Sequence, residues 1–546
     1  MRHLINIVLF LFAVVPVLAQ EQYGYPFNHG NYAAFEGMLN VSGSDFHTAV
    51  KPYRVKQLNE SIPFDSIQRI NYHTKKFSRT LFGRKLVRHS FLRLDSAKYQ
   101  IFADPVMNFE LGFDVFSKEK LTVNTKGFTV RGSIGRKVSF VTSFWENQAS
   151  FMPYISSWID RNQVVPGQGR VKDFLFDNGF YTALKMKVKG YDFSMANGYV
   201  SYSPVKAVNI QLGVDRLFIG DGYRSLLLSD VGYNYPFLKI STKIWKIQYE
   251  HIFTQLQDPR IPVPFESGYR KKWASFHYLS IAIGKRMQVG LFEGVIFKGD
   301  STGTAKFNWN YFNPITLSRS IQYAYDGSGN NALVGINVKF IPFNQAAFYG
   351  QLAIDELNFN KLGKGGHIDQ RLGWQLGFKV FNMFKLNGLY AQIEYNAARP
   401  YMYSNTSSLN SYTHYNQPLA HPLGANFHEV VGILGYKWKD LSFEYKATYA
   451  VIGKDSVGRF YGNDIYVSDV NAINGANSYG NKLGQGVKTS LAFQHLQIAY
   501  TVNRASHLSL VLGLTHRYEK SEIKTEQNLY LFFGIRTILR NLYYDF

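Results

Sequence analysis

The stretch Leu529-Tyr-Leu-Phe-Phe-Gly-Ile535, followed by Arg-Thr-Ile-Leu-Arg-Asn-Leu-Tyr-Tyr-Asp-Phe546, decides how the chain is read. Soluble domains mostly end on polar, loosely held residues. An apolar strand with an aromatic ending suits a closed membrane barrel, whose last strand must pair with its first and face lipid. Phe546 then reads as the assembly signal of a bacterial barrel and gives the cell outer membrane as the compartment. The two halves of the stretch are out of phase, however. Leu529, Leu531, Phe533 and Ile535 share one face, while Leu542, Tyr544 and Phe546 have the other parity. A one-residue shift exchanges the faces of a strand, so a bulge or strand end is expected between Ile538 and Asn541, close to Arg540.

Working outward, period-2 alternation dominates from about Phe109. Phe443, Tyr445, Ala447, Tyr449 and Val451 oppose Ser442, Glu444, Lys446 and Thr448. Leu389, Ala391, Ile393 and Tyr395 oppose Gln392, Glu394 and Asn396. Leu184, Met186 and Val188 alternate with Lys185, Lys187 and Lys189, a lysine row that is costly against lipid and readily hydrated in a lumen. A β-sandwich also alternates, but its outer faces have no need of such aromatic-rich apolar rows. The segments sum to an all-β transmembrane barrel of about 18 antiparallel strands. The stretches 238–256 and 488–502 are long enough for a bulge or a second strand. Short joins at 438–440 and 382–385 suit one end, and long joins at 298–330, 399–426 and 454–485 suit the extracellular end.

Composition agrees. Aromatic residues make up 16% of the 546, with 44 Phe and 38 Tyr. The mean hydropathy of −0.18 is that of a water-soluble protein, which a barrel reconciles by facing lipid with only every second residue. Arg2-His3, the apolar run Leu4 to Val15 and Pro16-Val17-Leu18-Ala19 read as a secretory signal peptide, residues 1–19. The chain has no cysteine, which excludes disulfides, thiolate metal sites and Cys nucleophiles. Residues 20–105 are polar and basic with helical hints at Asp65–Tyr72, and are expected to form a small periplasmic segment ahead of a barrel over 106–546. Met152–Phe180 breaks the strand rhythm and is a candidate lumenal plug. With 60 basic and 38 acidic residues the net charge is +22. In this compartment the anionic partners are outer-membrane lipid and lipopolysaccharide, surface polysaccharide or solutes, and not nucleic acid.

Several stretches resemble the Wzi-like capsule-assembly family, in the gliding-motility (RemB-type) form found in Bacteroidetes. They are Val164–Phe174 (VVPGQGRVKDF), Phe218–Asp230 (FIGDGYRSLLLSD), Tyr235–Lys239 (YPFLK), Asn313-Pro-Ile-Thr-Leu, Tyr349–Glu356, Arg399-Pro-Tyr-Met-Tyr and Thr413–Asn426 (THYNQPLAHPLGAN). The resemblance implies an outer-membrane barrel with a periplasmic helical portion, lectin-like in its enterobacterial members and tied to motility or secretion machinery in gliding relatives. No family ligand residue maps onto this sequence.

Read on their own, Asp215, Arg216, Asp221 and Arg224 join Lys185 and Lys187 as lumen charges that brace the wall or tune ion passage, and Asp221 and Arg224 are near enough in sequence to pair. The 399–428 loop carries Arg399, Tyr401, Tyr403, Tyr412, His414, Tyr415, His421 and His428. Rings that stack on sugar C–H faces beside hydrogen-bonding groups make a glycan platform; an interfacial belt and loop packing use the same residues. Arg399, Tyr401, Tyr403, His414, Tyr415 and His421 are the candidate ligand-binding set. Pro418 and Pro422 argue against a helix presenting His414 and His421 to a metal, and no cofactor is expected. Enzyme motifs such as Gly-x-Ser-x-Gly, His-Glu-x-x-His or a phosphate loop are absent. His251, Ser275, His277 and Asp300 suggest no constellation. The expected role is non-enzymatic: support of surface polysaccharide or of gliding motility. An anion-favouring porin is the alternative, and a barrel-embedded hydrolase ranks third.

Overall fold

A computed structural model describes residues 22–69, 80–176, 188–260, 268–298, 330–361, 363, 365–469, 478–537 and 540–546. Eighteen antiparallel strands close into one barrel. The first, Tyr99–Asp114, pairs with the last, Thr525–Arg536, from Asn108↔Arg536 to Asp114↔Tyr530. Closure leaves no unpaired edge, which is what lets a sheet cross lipid. The 238–256 stretch is two strands, Tyr235–Ile244 and Ile247–Asp258, turning at Trp245. The 488–502 stretch is one strand, Val487–Asn503, with a register shift between Thr501 and Asn503. Both had been open.

Parity follows the sequence. Leu212, Leu376, Ile393, Leu512 and Phe533 are exposed on the outer wall, while Glu394, Asn396 and Lys446 are buried inside. Inward glycines are covered by rings of the next strand. A Cβ at Gly377 would lie 2.2 Å from the Tyr349 ring, and one at Gly435 would lie 2.1 Å from the Tyr390 ring. Apart from the turns after Asp114 and Ser521, the short turns share one end with the entry and exit of the barrel, which the general plan of such barrels makes periplasmic. Trp245, Phe343, Phe384 and Trp438 stand exposed around it, an interfacial aromatic belt. The 399–426 join and the described parts of 454–485 lie at the opposite, extracellular end.

The last strand stops at Arg536. Residues 540–546 do not continue it toward lipid but turn back into the lumen, where Tyr543 and Asp545 are buried. Phe546 packs on Trp158 and Tyr154, at centroid distances of 5.7 and 6.0 Å. Leu542, Tyr544 and Phe546 therefore owe their opposite parity to leaving the sheet, not to a bulge. Lys185, Lys187 and the 1–19 stretch lie outside the described residues.

Residues 22–69 also sit against the barrel interior rather than apart from it. Helix His29–Leu39 is capped by the Asn28 side chain and buries Tyr32, Phe35 and Leu39. Val50–Lys51 adds to Phe218–Ile219 as a two-stranded sheet. The buried core runs from these helices through Leu226, Leu227 and Leu228 to Tyr403, Tyr412 and Leu419 of the 399–426 loop. Fully burying each leucine contributes about 1.5–3 kcal/mol, which favours a loop drawn into the lumen over one left in water.

Candidate functional site

Two regions bear on function: the filled lumen and an aromatic cluster at its extracellular end. In the lumen the 216–234 loop is the hub. Arg224 is 1% exposed. It donates to Glu429 (2.7 Å) and to Asp545 (3.1 Å), while Lys446 approaches Asp545 at 2.9 Å. His421 bonds the same Glu429 at 2.9 Å. One wall carboxylate, one guanidinium and one tail carboxylate thus tie strand, loop and 540–546 segment together. Asp221 faces the other way. It accepts from Thr48 (2.5 Å) and Asn337 (3.0 Å), while Lys339 donates to that Thr48 hydroxyl at 2.7 Å. Burial alone would raise the Asp221 carboxyl, but Lys339, Lys51 and Lys379 outweigh it and hold it at about 2.

Asp221 and Arg224 therefore do not pair with each other; the Gly222 turn sends them to opposite partners. Adjacent Asp215 and Arg216 also diverge. Asp215 accepts from Arg540 at 2.7 Å, and Arg216 donates to the carbonyls of Gly167, Gly232 and Asn541. Tyr543 donates to Asp230 at 2.7 Å, and His29 of the N-terminal helix bonds Tyr543 at 2.9 Å. The Met152–Phe180 stretch contributes the helix Pro153–Asn162, whose Tyr154 hydroxyl donates to the Tyr544 carbonyl at 2.6 Å.

The candidate sugar-binding set is dispersed by folding. Tyr403 donates to the Leu226 carbonyl (2.9 Å) and Tyr412 to that of Leu227 (2.7 Å), so both anchor the loop to the hub. Tyr401, His414 and His421 are buried. Burial lowers the His414 imidazole to about 4 and lowers that of His421 against the pull of Glu429; both side chains hydrogen-bond within the protein. Arg399 is half-buried and reaches the Asn481 carbonyl. Tyr415 alone of the tyrosines in that set stays accessible, and the reason is local. Tyr415 and Asn416 have φ of 52° and 59° between the paired dipeptides Thr413–His414 and Gln417–Pro418. Two left-handed residues make the tight hairpin turn that matches strand twist, and Tyr415 is at its tip.

There it meets Tyr233 (4.8 Å between centroids) and Tyr269 (5.7 Å, edge-on). Arg170 donates to the Tyr269 hydroxyl at 2.7 Å, its guanidinium 5.7 Å from that ring. Burial, with Tyr269 and Tyr233 close by, pushes the Tyr415 hydroxyl up, so it stays a neutral hydrogen-bonding group. Three partly exposed rings beside a guanidinium are the elements of a saccharide platform. Tyr233, Tyr269 and Arg170 were missed in the sequence because the contact joins positions far apart; only Arg170 lies in a stretch already singled out.

Folding also gathers residues that had suggested no constellation. Ser275 Oγ lies 3.1 Å from Nε2 of both His251 and His277, the two imidazoles stack at 4.3 Å, and the Tyr249 hydroxyl is 2.6 Å from His277 Nδ1. These side chains have outward parity, and Ser275 and His277 are fully buried. A hydroxyl shared by two imidazoles and closed to solvent clasps neighbouring strands. Asp300 lies outside the described residues. Among the described residues no group of three metal-ligating side chains is found.

No protein-family model matches the chain, and no curated protein sequence matches it. Among solved structures it is similar to Wzi of Escherichia coli, described as an outer-membrane protein involved in group 1 capsule assembly and a carbohydrate-binding β-barrel. The TM-score is 0.55 at 13% identity, over 95% of this chain and 100% of that one. OprD of Pseudomonas aeruginosa aligns with 80% of this chain and 94% of its own, at 10% identity and a TM-score of 0.40. The chain has the Wzi-like fold, a closed 18-stranded outer-membrane β-barrel with a helical N-terminal segment.

Proposed function

We propose that this barrel is a non-enzymatic, internally filled surface anchor that holds polysaccharide at its extracellular end through the Tyr415–Tyr269–Tyr233 cluster. The observation that carries the reading is the left-handed hairpin that leaves Tyr415 accessible beside Tyr269 and Arg170. In this reading residues 1–19 are removed on export, and the segment expected over 20–105 lies at the periplasm side with its residues 22–69 against the barrel interior, the wall beginning at Tyr99 rather than at 106. A role in gliding of the Bacteroidetes type, with motility or secretion machinery as partner, is supported by the resemblance of its motifs.

The test is retention of surface polysaccharide by cells and by the purified barrel on a glycan array. Losing one stacked ring costs about 0.5–1.5 kcal/mol, roughly a 2- to 12-fold weakening. Tyr415→Ala and Tyr269→Ala are each expected to show it, whereas Tyr401→Ala lowers stability instead. Retention unchanged in the Tyr415→Ala/Tyr269→Ala double variant sinks the reading. Deleting the gene and scoring spreading beside capsule retention separates the motility role from the capsule role.

A further inference from the structure

The lumen is filled but not solid. A cavity of about 920 Å³ lies between residues 23–68 and the wall. It runs from Arg88, Gln100 and Arg504 at the periplasmic rim to Asp215, Arg216 and Asp230 at mid-lumen. A space of this size is in the range of small-molecule sites. Its wall carries eight Lys or Arg side chains against five Asp or Glu. Several of the cations are neutralised: Arg131 lies 3.2 Å from Asp104, and Arg540 lies 2.7 Å from Asp215.

Among the described residues Lys51, Lys56, Arg88 and Arg216 make no such ion pair, although Glu36 and Asp221 act on Lys51 from farther off. Lys51 Nζ is 2% exposed by residue and is held by the carbonyls of Thr48 (3.0 Å) and Gly220 (2.6 Å). Arg216 is held by three carbonyls, the tightest that of Asn541 at 2.7 Å. Arg88 Nε is shut off from solvent without a hydrogen-bond partner, as is Asn197 Oδ1 on the opposite wall. Carbonyl dipoles orient a cation but leave its net charge to be balanced. Rings complete the wall: Trp145 lies under the Arg540 guanidinium at 5.3 Å, and Phe102 under Arg93 and Arg131. Burial, with Arg93, Arg84 and Arg88 close by, lowers the His89 imidazole at the rim, so that group is a neutral donor or acceptor.

We propose that this cavity is a second binding site, for a carboxylate- or phosphate-bearing saccharide that enters from the periplasmic end. Arg88 and Arg216 supply the uncompensated positive charge, Asn197 accepts a hydroxyl, and Trp145 and Phe102 offer ring faces to the sugar. It is distinct from the Tyr415 cluster, of which only Tyr233 packs against the inner end of this cavity, at Trp145.

The experiment uses the full-length barrel in detergent, titrated calorimetrically with a glucuronate-containing tetrasaccharide, with inorganic pyrophosphate and with neutral maltotetraose. At least one anion is expected to bind about tenfold or more tighter than maltotetraose, and to weaken as salt is raised. The arm that binds distinguishes carboxylate from phosphate recognition. Arg88→Gln is expected to weaken anion binding about fivefold or more, Arg88→Lys to restore part of it, and Tyr415→Ala to leave it unchanged. Trp145→Phe should remove any ligand-induced fluorescence change while the fold, read by circular dichroism, persists. Equal binding of maltotetraose, no anion binding, or sensitivity to Tyr415→Ala without sensitivity to Arg88→Gln overturns the proposal. A failure of the surface platform with anion binding intact would leave this site standing.

Discussion

Arg224 is the side chain on which the interior most depends. It neutralises Glu429 and Asp545, which are buried with it. Removing one member of such a buried set strands the others and costs about 3–5 kcal/mol. Arg224→Leu is expected to lower the urea midpoint of the refolded barrel accordingly; an unchanged midpoint would show that the network contributes nothing net. Asp221 gives a pH signature. Its folded value, about 2, lies below the ordinary carboxylate range. Its contribution is therefore complete above about pH 4 and lost as the pH falls toward 2. Near-UV circular dichroism of wild type and Asp221→Asn should differ in acid midpoint; coincident curves would remove Asp221 from the balance. Parity, and so lumen or lipid, could be read in the sequence for residues such as Glu444 and Phe443. The partners of Asp221 and Arg224 could not, because a three-residue separation across a turn leaves direction open.

At the scale of elements, the 216–234 loop depends on a missing side chain. Leu227 is fully buried, and a Cβ at Gly335 would lie 2.3 Å from its Cδ2 and 3.0 Å from the Leu352 carbonyl. Overpacking of that kind costs about 1–3 kcal/mol. Gly335→Ala is expected to dislodge the loop and open the Arg224 bond to trypsin in a barrel that still folds. Protection equal to wild type would mean that the wall yields instead. The strands themselves were legible because their period is 2 and their turns are short. The 540–546 segment was not: its apolar residues read equally well as a strand facing lipid. What decides otherwise is Asp545, whose carboxylate has two cations waiting inside and none outside.

At the scale of the molecule, the N-terminal helices, two long loops and the 540–546 segment share one lumen, and the space left includes cavities of about 920 and 390 Å³ that meet at Trp145, His507 and Arg540. Planar bilayers holding the purified protein are expected to show no steady current. A steady anion-selective conductance would favour the porin alternative. The sequence by itself determined the barrel, its strand count and its compartment, since alternation and closure are local consequences of every second residue meeting lipid. Only the tertiary structure decided that the rings of Tyr403 and Tyr412 are buried against the interior, that Tyr415 stays accessible, and that Phe546 lies inside. Those outcomes depend on which distant charge or surface is nearer, and spacing along a chain does not encode that distance.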